Sequence, residues 1–177
     1  MVPGKYLRDY TLQDTLGPDG RIRSVSVYTG PQFRYTADAE TLKAARRRFR
    51  ITAAASCALA LVPLLVYTPV IRCWYVMPPL ACALLPVGVL AFDAVSLLRK
   101  ERLTRRERDR AAAIAPWSAV LLSMSLLSLL GQAFYAFRGL YAPTDWPVTL
   151  SALALAGASC YLVSLRRAFS TEEIAAE

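Results

Sequence analysis

The chain has 177 residues, 55% of them hydrophobic, and a net charge of +8 with no histidine. A mean hydropathy of +0.35 places it with membrane proteins. The missing imidazole excludes Ser-His, Cys-His and His-metal centres from this sequence, which also lacks a Gly-rich phosphate loop and a second intramembrane carboxylate for an aspartyl dyad.

Residues 1–35 are expected to form a small cytosolic β meander. Tyr6, Tyr10, Leu12 and Leu16 alternate onto one face, and Gly17-Pro18-Asp19-Gly20 supplies a type I turn. A second strand follows over 21–28, with Val25 and Val27 on one side and Ile22 and Tyr28 on the other. Thr29-Gly30-Pro31-Gln32 then turns the chain into Phe33-Arg34-Tyr35. So short a unit cannot bury a core of its own, so it must lean on its own bundle, the membrane surface or a partner.

From Asp38, an expected N-cap, the pattern becomes helical. Residues 36–50 form a basic juxtamembrane helix that runs without a breaker into the first span. Its arginines Arg46, Arg47, Arg48 and Arg50 read as a stop-transfer signal, with contact to anionic lipid as the alternative.

Four apolar runs, 51–71, 73–98, 111–137 and 147–165, contain no Lys or Arg, and their only charge is Asp93. They hold 19 to 27 residues each. A helix rises about 1.5 Å per residue, so each run can cross a hydrocarbon core of about 30 Å. The expected fold class is an all-α membrane protein, with four transmembrane helices in a bundle spanning 51–167 and a polar cytosolic tail at 168–177. The first 50 residues lack the pattern of a signal peptide, so the first span is expected to be retained.

Nineteen of the 21 basic residues lie before span one, between spans two and three, or after span four. Only Arg72 and Arg138 fall in the other two loops. Translocating such residues is unfavourable, so both termini are expected in the cytoplasm and the protein in the cytoplasmic membrane. Tyr67, Trp74, Tyr75, Tyr135, Tyr141 and Trp146 cluster at the two weakly charged turns, as an outer aromatic belt would. The basic clusters lack interleaved aromatics, which disfavours a nucleic-acid partner and favours anionic headgroups.

Pro63 in span one and Pro78, Pro79 and Pro86 in span two should bend those helices, joined by a short turn around Arg72. The loop RKERLTRRERDR at 99–110 is expected to be a solvated turn that extends its flanking helices. It offers Glu101–Arg105 and Arg105–Asp109 pairs, and Arg105 and Arg106 as further lipid contacts. Ser118, Ser123, Ser125, Ser128 and Gly131 in span three, and Ala152, Ala154, Ala156, Gly157, Ala158 and Cys160 in span four, allow close backbone approach within the chain or across a homodimer. Ser170-Thr171-Glu172-Glu173 could cap a last helical turn. Cys57, Cys73, Cys82 and Cys160 form no C-x-x-C pair and read as small packing residues.

Asp93 is the residue with chemistry to explain. It lies about five residues inside span two, in a layer with Ser56, Cys57, Trp117, Ser118, Cys160 and Tyr161. The hydroxyls of Ser118 and Tyr161 are natural donors to it. A proton- or cation-linked site is one reading; a hydrogen-bonded structural Asp, or one reaching Arg99 or Arg110, is the other. Gln132, Tyr135 and Arg138 follow one face near Asp145, either as an outward vestibule or with an Arg138–Asp145 ion pair. No catalytic residue, cofactor or metal site is expected. The chain reads as a non-enzymatic scaffold or subunit of a membrane complex, with residues 1–35 available to a protein partner. The alternative is a small transporter or channel subunit that uses Asp93.

Overall fold

The computed structural model describes residues 4–16, 21–97 and 100–174. The expected turn at 17–20 lies outside them. Four helices dominate: α1 (Ala39–Leu65), α2 (Met77–Ser96), α3 (Arg105–Phe137) and α4 (Trp146–Ser164). All four are long and apolar enough to cross a membrane. Each packs on two neighbours in a closed cycle, α1 on α2, α2 on α3, α3 on α4 and α4 on α1.

Many leucines face outward, while serines are buried among the leucines, valines and alanines of the core. Leu61, Leu64, Leu84, Leu85, Leu127, Leu130, Leu150 and Leu153 are exposed, whereas Ser56, Ser118, Ser125, Ser128, Gln132, Ser151 and Ser159 are buried. Ordinary soluble folding drives the opposite distribution. The buried hydroxyls do not need partners on other helices, because Ser118 donates to the Ile114 carbonyl at 2.8 Å, Ser125 to Leu121 at 2.9 Å and Ser159 to Leu155 at 2.7 Å. Small residues then let α3 and α4 approach closely. On α4 the seam is Ser151, Ala152, Leu155, Ala156, Ser159 and Leu162. Ala154, Gly157 and Cys160, also expected to favour close approach, face outward.

Helix ends follow local chemistry. Asp38 caps α1, its carboxylate accepting from the Thr41 amide at 3.0 Å, and α1 then runs unbroken through Pro63. Thr104 and Glu107 form a reciprocal capping box at the start of α3. Pro78 and Pro79 sit in the first turn of α2, where an amide would have no helical acceptor, so they start that helix and do not bend it. Pro86 lies inside α2 and Pro116 inside α3. The connection from α1 to α2 occupies 66–76 and includes a 3-10 turn at Pro69–Arg72, so it is longer than a tight hairpin turn. It presses against α3 at Gly131, where a Cβ would meet the Tyr75 carbonyl oxygen at 2.7 Å.

The N-terminal strands divide between two sheets, which corrects the three-stranded meander. β1 (Tyr10–Leu16) and β2 (Ile22–Tyr28) form an antiparallel hairpin with Leu12 opposite Ser26. β3 (Phe33–Tyr35) leaves them and becomes the centre of a second sheet, ordered β4-β3-β5. β4 (Arg102–Leu103) comes from the loop expected to be a solvated turn, and β5 (Thr171–Glu173) from the polar tail. Phe33 pairs with Leu103 on one side and Glu173 on the other.

Burial explains the exchange of partners. β3 alternates with Phe33 and Tyr35 buried and Arg34 outward, where Arg34 meets Glu172 at 2.6 Å. Phe33 and Tyr35 join Leu42, Phe49, Leu103 and Phe169 in the same core that fills the space between the helices. Phe169 touches Tyr35 and Phe49 edge to face, with centroids 6.2 and 5.5 Å apart. Three segments distant in sequence thus close one end of the helices, here called the sheet end.

Candidate functional site

At the sheet end, helix α2 buries the Asp93 side chain and α3 brings Arg110 to it. Arg110 donates to the Asp93 carboxylate and, at 3.3 Å, to the Ser96 hydroxyl. Its guanidinium also stacks on Phe92, 4.7 Å from the ring centroid. The pair leaves a buried carboxylate charge-balanced and hydrogen-bonded, the arrangement that makes such burial tolerable.

The expected donors are elsewhere. Ser118 spends its proton on its own helix, and Tyr161 is 40% exposed on the outer face of α4; among the described residues neither bonds Asp93. Trp117, placed in the same layer, does share a groove wall with Asp93. The second possibility read from the sequence, a reach to Arg110, matches the geometry.

The basic residues serve different purposes. Arg46 donates to the Lys100 carbonyl at 2.8 Å and stands 5.3 Å above the Tyr35 ring, so it ties α1 to the loop. Arg47, Arg48 and Arg50 are exposed. Arg47 and Arg50 border an open groove of about 900 Å³ together with Lys43 and Glu40. Arg105 lies 4.0 Å from Asp9, and its amide donates to the Tyr28 hydroxyl at 2.9 Å. The Arg105–Asp109 pair expected from helical spacing is replaced: Asp109 accepts from Tyr6 at 2.9 Å and from Arg108. Arg106 lines the groove beside Asp93.

The far end carries a buried polar network that includes Gln132 and Asp145, with partners other than those expected. Asp145 is fully buried and accepts from the backbone amides of Ala142 at 2.9 Å and Val70 at 3.4 Å. Thr149 donates to Gln132, which donates to Ser128 at 3.2 Å, and Tyr141 bonds Thr149. Arg138 takes no part; it is exposed and stacks on Phe134 at 4.8 Å, so the expected Arg138–Asp145 pair does not form. The available signal was Asp145 placed just before Trp146-Pro147 at the head of an apolar run, where a carboxylate finds unpaired amides. This network is a structural latch between α3, α4 and the α1–α2 connection.

The hairpin β1–β2 is the other conspicuous feature. Its base is fastened: the Thr29 amide donates to the Asp9 carbonyl at 2.9 Å, and Tyr28 joins Arg105 and the Pro31 carbonyl. Beyond that base it is open, with Leu12 73% and Ile22 71% exposed on one face and Val25 exposed on the other.

No family model, curated protein or solved structure matches the chain. The geometry therefore carries any functional reading alone.

Proposed function

We propose that the chain is a non-enzymatic scaffold or complex subunit of the cytoplasmic membrane, a four-helix bundle with both termini in the cytosol, whose hairpin β1–β2 docks a protein partner. The leucine-rich exterior and the four long apolar helices are compatible with a multi-pass membrane protein. The lopsided distribution of Lys and Arg supports the orientation.

The single observation behind docking is the hairpin itself. It belongs to a two-stranded sheet, so both its outer edges are unpaired among the described residues, and it shows Leu12, Ile22 and Val25 to solvent. An isolated hairpin of this kind is marginal in water. An extended segment of a partner that adds a strand to β1 or β2 would satisfy the edge and cover the apolar side chains. Recovery of a stoichiometric partner in mild detergent by the full chain, and its loss when residues 11–27 are replaced by a short Gly-Ser linker, tests the proposal. Equal recovery by the replaced form would remove it.

The alternative role for Asp93 in transport takes second place because its carboxylate is already paired with Arg110. A stable Asp93→Asn protein that keeps full function supports the structural role; a stable protein without activity would favour transport.

A further inference from the structure

One side of the helical unit holds a groove of about 670 Å³ between α2 and α3, and its chemistry changes along its length. The inner stretch is apolar, with Leu84, Gly88 and Phe92 from α2 facing Trp117 from α3. At the sheet end the lining becomes ionic: Arg106, Arg110 and Asp93. Arg110 is balanced by Asp93, whereas Arg106 has no ion-pair or hydrogen-bond partner among the described residues. The groove mouth therefore holds one uncompensated positive charge.

Its length fits one leaflet. Leu84 and Asp93, the outermost lining residues on α2, are nine residues apart, about 14 Å along a helix, and Arg106 precedes Trp117 by about 17 Å on α3. Half of a hydrocarbon core is about 15 Å. Gly88 leaves the floor open, since a Cβ there would meet nothing within 4 Å.

We propose that this groove is a binding site for one anionic phospholipid of the leaflet at the sheet end, its acyl chain along Gly88 and Trp117 and its phosphate at Arg106. The site rests on the membrane reading of the helices and is independent of docking by the hairpin. Apolar length and charge occur together at the depth where a lipid of that leaflet has its chain and its headgroup. Arg106 thereby has a role in this groove that exposed Arg47 and Arg48, on α1, do not share.

Trp117 is a built-in reporter. Of the three tryptophans, Trp74 and Trp146 lie at the far end, so changing both to Phe leaves Trp117 alone. The full chain carrying these changes is reconstituted into bilayers of phosphatidylcholine and phosphatidylglycerol, with bromine on the acyl chains of one or the other, and quenching is compared. We expect a preference of about fivefold for brominated phosphatidylglycerol, the effect of one arginine near a charged surface. Arg106→Gln should bring the ratio to about one while Arg106→Lys retains it, and Gly88→Leu should lower it by filling the floor. A ratio of one in the parent, or a ratio unmoved by Arg106→Gln, would overturn the site. Absence of quenching by any brominated lipid would overturn the membrane reading along with it, a result distinct from unselective quenching.

Discussion

The two small sheets use similar strands to opposite ends. In β4-β3-β5, Phe33 and Tyr35 are buried in the core shared with the helices, and the outward Arg34 is paired with Glu172. In β1–β2, the apolar residues Leu12 and Ile22 face solvent, and the base is fastened through Asp9, Tyr28 and Arg105. The first sheet joins three distant segments to the body; the second leaves its apolar side chains exposed. Strand composition alone does not separate them. What does is whether the alternate residues of a strand find a core within reach.

Substitutions sharpen that contrast. Phe33→Ala should have the largest effect, about 3–5 kcal/mol, because it empties a packed position under Arg108, whose guanidinium lies 4.5 Å from the ring. Thermal or denaturant unfolding in detergent checks it, and a loss below about 1 kcal/mol would mean that the β3 sheet is no more integral than the hairpin. Arg110→Met should cost about 3 kcal/mol by leaving the Asp93 carboxylate buried without its partner. Asp93→Asn, which keeps an acceptor for Arg110, should cost clearly less, and the order of the two melting temperatures is the test. Gly131→Ala should follow at about 1–3 kcal/mol, since its Cβ meets the Tyr75 backbone and the connection must move.

Much of the helical architecture is legible in the sequence. Residues 51–65 of the first run and most of the other three fall on α1 to α4, Asp38 caps α1, and of the two arginines offered as alternatives for Asp93, Arg110 reaches it. Periodicity is a local signal, and it serves for helices whose hydrogen bonds are local. The partners of β3 were not legible, because Leu103 and Thr171 are remote in sequence and pairing depends on where α2, α3 and α4 deliver their ends. Depth along the helix points to Ser118 and Tyr161, but rotation about the helix axis turns Tyr161 outward and Ser118 bonds its own helix. Arg138 was assigned to Asp145 by charge, whereas backbone amides of Ala142 and Val70 had the better geometry.

Smaller effects probe the boundary between the sheet end and the helices. The Thr41 amide bonded to Asp38 holds that carboxyl below the usual carboxylate range. The cap's contribution is therefore full above about pH 3.8 and is lost as the pH falls through the lower folded-state value. Asp38→Ala should lower the melting temperature at neutral pH, and the gap from the parent should narrow in acid. A gap that is constant with pH would contradict an ionised cap. Leu12→Ser with Ile22→Ser should change stability least, within about 0.5 kcal/mol, because neither side chain is buried in the body.

The separability of the hairpin is tested most directly by replacing residues 11–27 with a Gly-Ser linker. Asp9 and Thr29 already meet through a 2.9 Å backbone hydrogen bond, so a short linker can close the gap without disturbing β3. Melting temperature and co-purified protein are measured on the same detergent-solubilised sample. An unchanged melting temperature with loss of the stoichiometric partner is the predicted result. A replaced form that unfolds, or one that is stable and recovers the partner as well as the parent does, would contradict it.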